Sequence, residues 1–192
     1  MVKRKKGLVD MPRLFTGIEI PPLARQHITL LQSGLKGARW IEPSDLHITL
    51  RFIGDVSDAD ADRIVEALDD RARRKRWAKP VIMPGEIASF GGEKPRSVYV
   101  SVKPDDGLVA LQRSHEVVMQ RVGLKAEGRQ FVPHITLGRF SGDVTPIAVA
   151  QYLSRMGGAT VPVWEPIRFV LYSAGDSTGG GPYVPEEVWS LD

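Results

Sequence analysis

The tetrapeptide His-Ile-Thr-Leu occurs twice in this 192-residue chain, at His47–Leu50 and at His134–Leu137, and these copies hold two of its four histidines. On a β-strand, side chains alternate between faces, so a histidine and a threonine two residues apart point the same way. Ile48, Leu50, Ile135 and Leu137 then point to the opposite face, toward a core. Two such strands brought together surround one cleft with two imidazoles and two hydroxyls. Imidazole has an ordinary pKa of about 6.5, so a pair can hold one neutral base and one protonated acid at neutral pH. The hydroxyls of Thr49 and Thr136 can donate to the non-bridging oxygens of a phosphoryl group. The pattern therefore points to acid–base work on a phosphate. Two histidines without Cys, Asp or Glu in either motif make a poor zinc set, so neither metal nor cofactor is expected. His27 and His115 have no such context and are read as surface or interface residues on helices.

The repeat is longer than the motif. His47–Val56 reads H-I-T-L-R-F-I-G-D-V, and His134–Val144 reads H-I-T-L-G-R-F-S-G-D-V, one residue longer through Gly138. Each copy is followed by a helical stretch, Ser57–Arg73 or Thr145–Met156. Each is preceded by a strand and a helix: Arg13–Ile20 with Leu23–Leu35, and Ser97–Lys103 with Gly107–Val122. Asp55 and Asp143 read as helix caps. Val81–Ser89, Val161–Ser173 and Tyr183–Leu191 complete the strands. The expected fold is α+β, a bilobed internal duplication: two antiparallel sheets face a central cleft, with helices outside. A β-bulge at Gly138 restores Arg139 to the face of His134 and Thr136, while simple alternation already puts Arg51 on the cleft side.

Composition bounds the rest. An apolar content of 42% suffices for one bilobed domain over 11–192. There is no cysteine, which suits a reducing cytoplasm, and no apolar run of membrane-spanning length. Lys3, Arg4, Lys5 and Lys6 are four of the 26 basic residues and Asp10 one of the 23 acidic ones, so the balance from Met11 onward is 22 against 22. Residues 1–10 are read as a basic, solvated and disordered tail, and net charge as weak evidence for nucleic acid. The basic run Arg71, Arg73, Arg74, Lys75 and Arg76 is read as a solvated helix end favoured by the helix dipole. The loop Gly175–Pro182 lacks the following Lys-Ser/Thr helix of a P-loop and is read as a rim loop.

Taken together, these residues resemble the two-histidine (2H) phosphoesterases, in particular the bacterial and archaeal RNA 2',3'-cyclic phosphodiesterases, also called 2'-5' RNA ligases. The likeness runs from about Met11 to Leu191. It rests on Arg13-Leu-Phe-Thr-Gly-Ile-Glu-Ile-Pro, Arg39-Trp-Ile-Glu-Pro, both extended His-x-Thr motifs, Leu171-Tyr-Ser and Gly181-Pro-Tyr. Many relatives carry Ala where this chain has Gly138. The resemblance implies metal-independent opening of a terminal 2',3'-cyclic phosphate on RNA to a 2'-phosphomonoester. It implies His47 as proton donor to the 3' oxygen, His134 as the base for water, and Thr49, Thr136 and Arg139 on the phosphoryl oxygens. The near-symmetry of the motifs leaves acid and base undecided from the residues alone.

Aligning the repeats pairs Phe15 with Tyr99, each followed two residues later by a small residue, Gly17 or Ser101, that leaves room for a ligand. Phe15 and Tyr99, with Phe90 and Tyr183, are the candidates for stacking a nucleobase. The expected partners are RNA with a 2',3'-cyclic end or a small cyclic nucleotide, with no membrane, and the protein is expected to be a cytoplasmic monomer. Two other readings stay open: ATP-independent 2'-5' ligation by the same site, and a non-catalytic RNA- or nucleotide-binding module.

Overall fold

The computed structural model describes residues 12–140, 142, 144–174 and 180–192. The expected tail, Asp143 and most of the Gly175–Pro182 loop therefore lie outside the described residues. Strands β1 (Arg13–Glu19), β2 (Ala38–Trp40), β3 (His47–Asp55), β4 (Pro84–Phe90), β5 (Ser97–Val102), β6 (His134–Phe140), β7 (Arg168–Ser173) and β8 (Val184–Ser190) form one antiparallel sheet in the order β4-β5-β6-β3-β1-β7-β8, with β2 also on β6. Helices α1 (Pro22–Thr29), α2 (Asp58–Arg74), α3 (Asp106–Arg121) and α4 (Pro146–Met156) complete the fold. The duplication is visible in the order of elements. The sheet itself consists of two halves, joined where Ile48 of β3 pairs with Ile135 of β6.

Local chemistry explains the element ends. Ser57, Asp105 and Thr145 cap α2, α3 and α4, each side-chain oxygen accepting a backbone N–H from the first turn. Asp55 is not a cap: it ends β3 in a two-point ion pair with Arg13, at 2.8 and 3.0 Å. Helix α1 stops at Thr29, short of the expected Leu35. The chain then passes through turns in which Gly34 and Gly37 take positive φ of 73° and 86°. The Val161–Ser173 stretch yields a strand only from Arg168, preceded by a lone bridge between Ile82 and Trp164. The basic run at the end of α2 behaves as a helix end. Arg71 lies 4.4 Å over the Trp77 ring, and Arg73 pairs with Asp70.

The helices exchange between halves. Helix α3, from the second repeat, packs on β3 and α2 of the first. The core there is a run of aromatic rings, with Phe169 stacked on Trp189 and edge-on to Trp77. The Trp189 indole N–H donates to Asp69 at 2.8 Å. In the other half, α4 sends the Tyr152 hydroxyl to the Leu31 carbonyl at 2.7 Å, and Trp40 of β2 lies 5.9 Å from the Tyr152 ring. Each half of the sheet thus has one face sealed by helices, which turns the His-x-Thr residues toward the other.

Candidate active site

The antiparallel Ile48–Ile135 pair sets the geometry of the site. Residues flanking the two isoleucines run in opposite directions, so His47 comes beside Thr136 and Thr49 beside His134. All four line one small polar pocket with Ile41, Asp45, Arg139 and Tyr183. Its volume of about 50 Å³ suits one phosphoryl group, not a whole nucleotide. The isoleucines themselves are fully buried.

The imidazoles are held alike. His47 donates Nδ1–H to the Asp45 carbonyl at 2.7 Å, and His134 donates Nδ1–H to the Val132 carbonyl at 2.8 Å. A carbonyl oxygen can only accept, so Nδ1 carries the proton and Nε2 is left to the pocket. In the first copy the Thr49 hydroxyl lies 3.1 Å from His47 Nε2. Burial is the main force on both rings. It pushes His47 down to about 4 against its carbonyl hydrogen bond, and the neighbouring charges of His134 and Arg139 push the same way. His134 is also lowered, by burial and then by Arg139.

A bulge presents Arg139, but it is not peculiar to the second motif. On β6, Thr136 pairs with Tyr99 and Gly138 with Val98, so Leu137 is the extra residue. On β3, Thr49 pairs with Gly17 and Arg51 with Thr16, so Leu50 is extra in the same way. Both motifs therefore put positions His+3 and His+4 on the helix-covered face. Arg51 is accordingly not on the cleft side, as alternation predicted. It is 7% exposed and directed at α3, with its Nε 2.5 Å from Glu116 and a bond of 2.6 Å to the Lys125 carbonyl. Gly138 takes the matching place, and a Cβ there would come within 2.7 Å of the Trp40 ring. The residue by which the second motif is longer lies beyond Arg139. At His+5 the copies diverge: Arg139 lines the pocket, and its counterpart Phe52 is 43% exposed. The bulge on β6 is held from outside, since the Leu137 carbonyl accepts from Ile41 N–H and from the Gln32 amide, both at 2.9 Å.

The aromatic candidates divide into two groups. Phe15 is buried behind the imidazole of His47, 4.7 Å away, and touches Tyr172 and Tyr183 at 5.1 and 5.0 Å. The room left by Gly17 is taken by His47, whose ring carbon would lie 3.3 Å from an added Cβ. Phe15 thus buttresses the imidazole and offers no open face to a base. Tyr99 and Phe90 are half-buried and stacked at 4.1 Å, with their rings 5.2 and 4.9 Å from His134. Tyr183 stands edge-on to His47 at 5.2 Å. Besides the apolar Ile41, two residues at the site were not anticipated. Tyr172 lies 5.8 Å from His47, where its alternation along β7 could have pointed to it. Asp45 lies in the pocket wall two residues before His47, with nothing in the motif to mark it.

Comparison with known proteins bears on the family and the fold. The model of the LigT-like phosphoesterases matches residues 18–99 and again 100–182. The RNA 2',3'-cyclic phosphodiesterase of Methanothermobacter thermautotrophicus is 29% identical over 190 residues, covering 93% of this chain and 98% of its own. That of Aeropyrum pernix is 33% identical over 140 residues, covering 72% of this chain and 77% of its own. Escherichia coli LigT in its apo form superposes with a TM-score of 0.71 at 24% identity, over 94% of this chain and 97% of that one.

Proposed function

The chain belongs to the LigT-like phosphoesterases of the two-histidine superfamily, and we propose that it opens the terminal 2',3'-cyclic phosphate of RNA to a 2'-phosphomonoester. The observation that carries this reading is the convergence of both His-x-Thr pairs and Arg139 on one phosphoryl-sized pocket. Relatives bearing the name RNA 2',3'-cyclic phosphodiesterase support the choice of substrate.

In this reading His134 Nε2 takes a proton from water as the water oxygen attacks phosphorus. The P–O3' bond breaks in line, and His47 delivers a proton to the departing O3'. The choice of His47 as acid follows the family likeness, because the two imidazoles have the same tautomer and the same kind of carbonyl partner. Thr49, Thr136 and Arg139 hold the non-bridging oxygens, where donors strengthen their bonds as charge develops. Among the described residues no three His, Cys, Asp or Glu side chains converge as a metal-holding group. The nucleoside must lie outside so small a pocket. Tyr99 and Phe90 beside His134, and Tyr183 beside His47, are the rings available to it. No helix among the described residues is long and apolar enough to cross a membrane.

The test is incubation with an oligoribonucleotide ending in a 2',3'-cyclic phosphate, in excess chelator, with the product analysed for phosphate position. A 2'-phosphate end is expected. Loss of turnover on chelation, restored by one divalent ion, would remove the metal-free mechanism.

A further inference from the structure

The two halves of the site are not equally enclosed, and the difference starts at the residue two before each histidine. Asp45 and Val132 perform the same backbone task, each carbonyl accepting Nδ1–H of the histidine that follows. Only Asp45 adds a carboxylate, and that carboxylate is buried, at 6% exposure. Its Oδ1 accepts the backbone N–H of Tyr183 at 3.2 Å, across 138 positions of sequence. Its Oδ2 lies so close to Gly181 that a Cβ there would overlap it, and Gly181 has a positive φ of 82°. The turn is closed on itself by the Gly180 N–H, which donates to the Tyr183 hydroxyl at 2.8 Å. Its Tyr183 ring stands edge-on to both His47 and Phe15.

We propose that Asp45 is a positioning residue: its side chain tethers the Gly180–Tyr183 turn against His47, so that the Tyr183 ring forms one wall of the phosphate pocket. The same residue thus fixes the imidazole through its backbone and the cover over that imidazole through its side chain. Val132 has no such group, so the His134 half lacks this tether. The inference rests on the phosphodiesterase reading for its kinetic consequence, but not for its effect on His47.

Asp45→Ala and Gly181→Ala break the tether from its two ends, and Asp45→Asn keeps an oxygen acceptor. The imidazoles are titrated by NMR in each variant, and kcat and KM are measured with adenosine 2',3'-cyclic phosphate. The two tether-breaking variants are expected to move the His47 titration up from about 4 toward 6.5, by more than they move that of His134. They should lower kcat/KM about ten-fold through misplacement of the acid. Asp45→Asn should stay close to wild type in both respects. A folded Asp45→Ala protein with an unmoved His47 titration overturns the proposal, as does Asp45→Asn matching Asp45→Ala, which would assign the effect to charge. If Asp45→Ala does not fold, Gly181→Ala decides by the same criteria. A wild-type protein inert toward the cyclic ester, with His47 still shifted in the variants, sinks the phosphodiesterase reading and leaves the tether standing.

Discussion

Ile48 and Ile135 face each other at the pairing that joins the two halves of the sheet, and every polar group of the pocket is placed relative to that pair. Strand polarity alone brings each histidine beside the threonine of the other copy. The sheet needs no long pairing there. A short junction lets the halves diverge on either side, and the buried isoleucines anchor it from the core face. The arrangement is close to two-fold, whereas a cyclic phosphate is not. Under the proposed cyclic-phosphate reading, the departures from symmetry, Arg139 against Phe52 and Asp45 against Val132, are the features that would tell the two ends of the substrate apart.

The pH dependence should differ between free and occupied enzyme. Both imidazoles titrate below 6.5 in the free protein because burial disfavours the imidazolium. The bell-shaped profile of kcat/KM should then peak on the acid side of pH 6.5, each limb belonging to the coupled pair. An anionic phosphate in the pocket favours the protonated rings, so the kcat profile should lie at higher pH. Coincident profiles centred above 6.5 would contradict this. Either His47→Ala or His134→Ala should cost about 10²–10⁴ in rate with the fold retained.

The two arginines near the motifs should fail in opposite ways. Arg139→Lys exchanges a planar fork for a point charge at the rim of the pocket, and should lower kcat/KM about ten-fold with no change in melting temperature. Arg51→Ala leaves Glu116 without its buried partner and should cost about 3 kcal/mol of stability, with kcat little altered in the fraction that stays folded. Thermal melts and kinetics on both variants check the pair. A stable but inactive Arg51→Ala protein would place that guanidinium in the cleft after all.

Much of this was legible in the sequence because it depends on local periodicity. His-x-Thr on an apolar strand fixes which residues face the cleft, and the duplicated pattern fixes that there are two such strands. The bulges were not legible in full. An extra residue shows only against the partner strand, and β1 and β5 each impose one at His+3. Alternation therefore failed at Arg51, while the extra Gly138 gave the right side for Arg139 by a different route. Asp45 was invisible because its partners arrive from the far end of the chain. His115 could have been found. Leu108, Leu111, His115 and Val118 share one helical stripe, and all four are buried.

His115 makes a prediction about acid stability. It was expected at the surface or an interface, but it is fully buried against the rings of Trp77 and Phe169, at 4.9 and 4.5 Å. Neither ring nitrogen has a hydrogen-bond partner among the described residues. Burial first, then the charge of Arg71, pushes its pKa down to about 3. In the unfolded chain the same ring takes a proton near 6.5. Between these two values the unfolded state binds more protons than the folded one, so stability falls as pH falls. The contribution is complete above about 6.5 and is lost progressively toward about 3. His115→Leu keeps an apolar group of similar volume and removes the titration. Urea midpoints of wild type and variant should therefore be similar at pH 7.5. At pH 4.5 the variant should be the more stable, because only the wild type still carries the penalty of refusing that proton. Equal losses of stability in the two proteins between these pH values would show that the imidazole is not held neutral in the folded core.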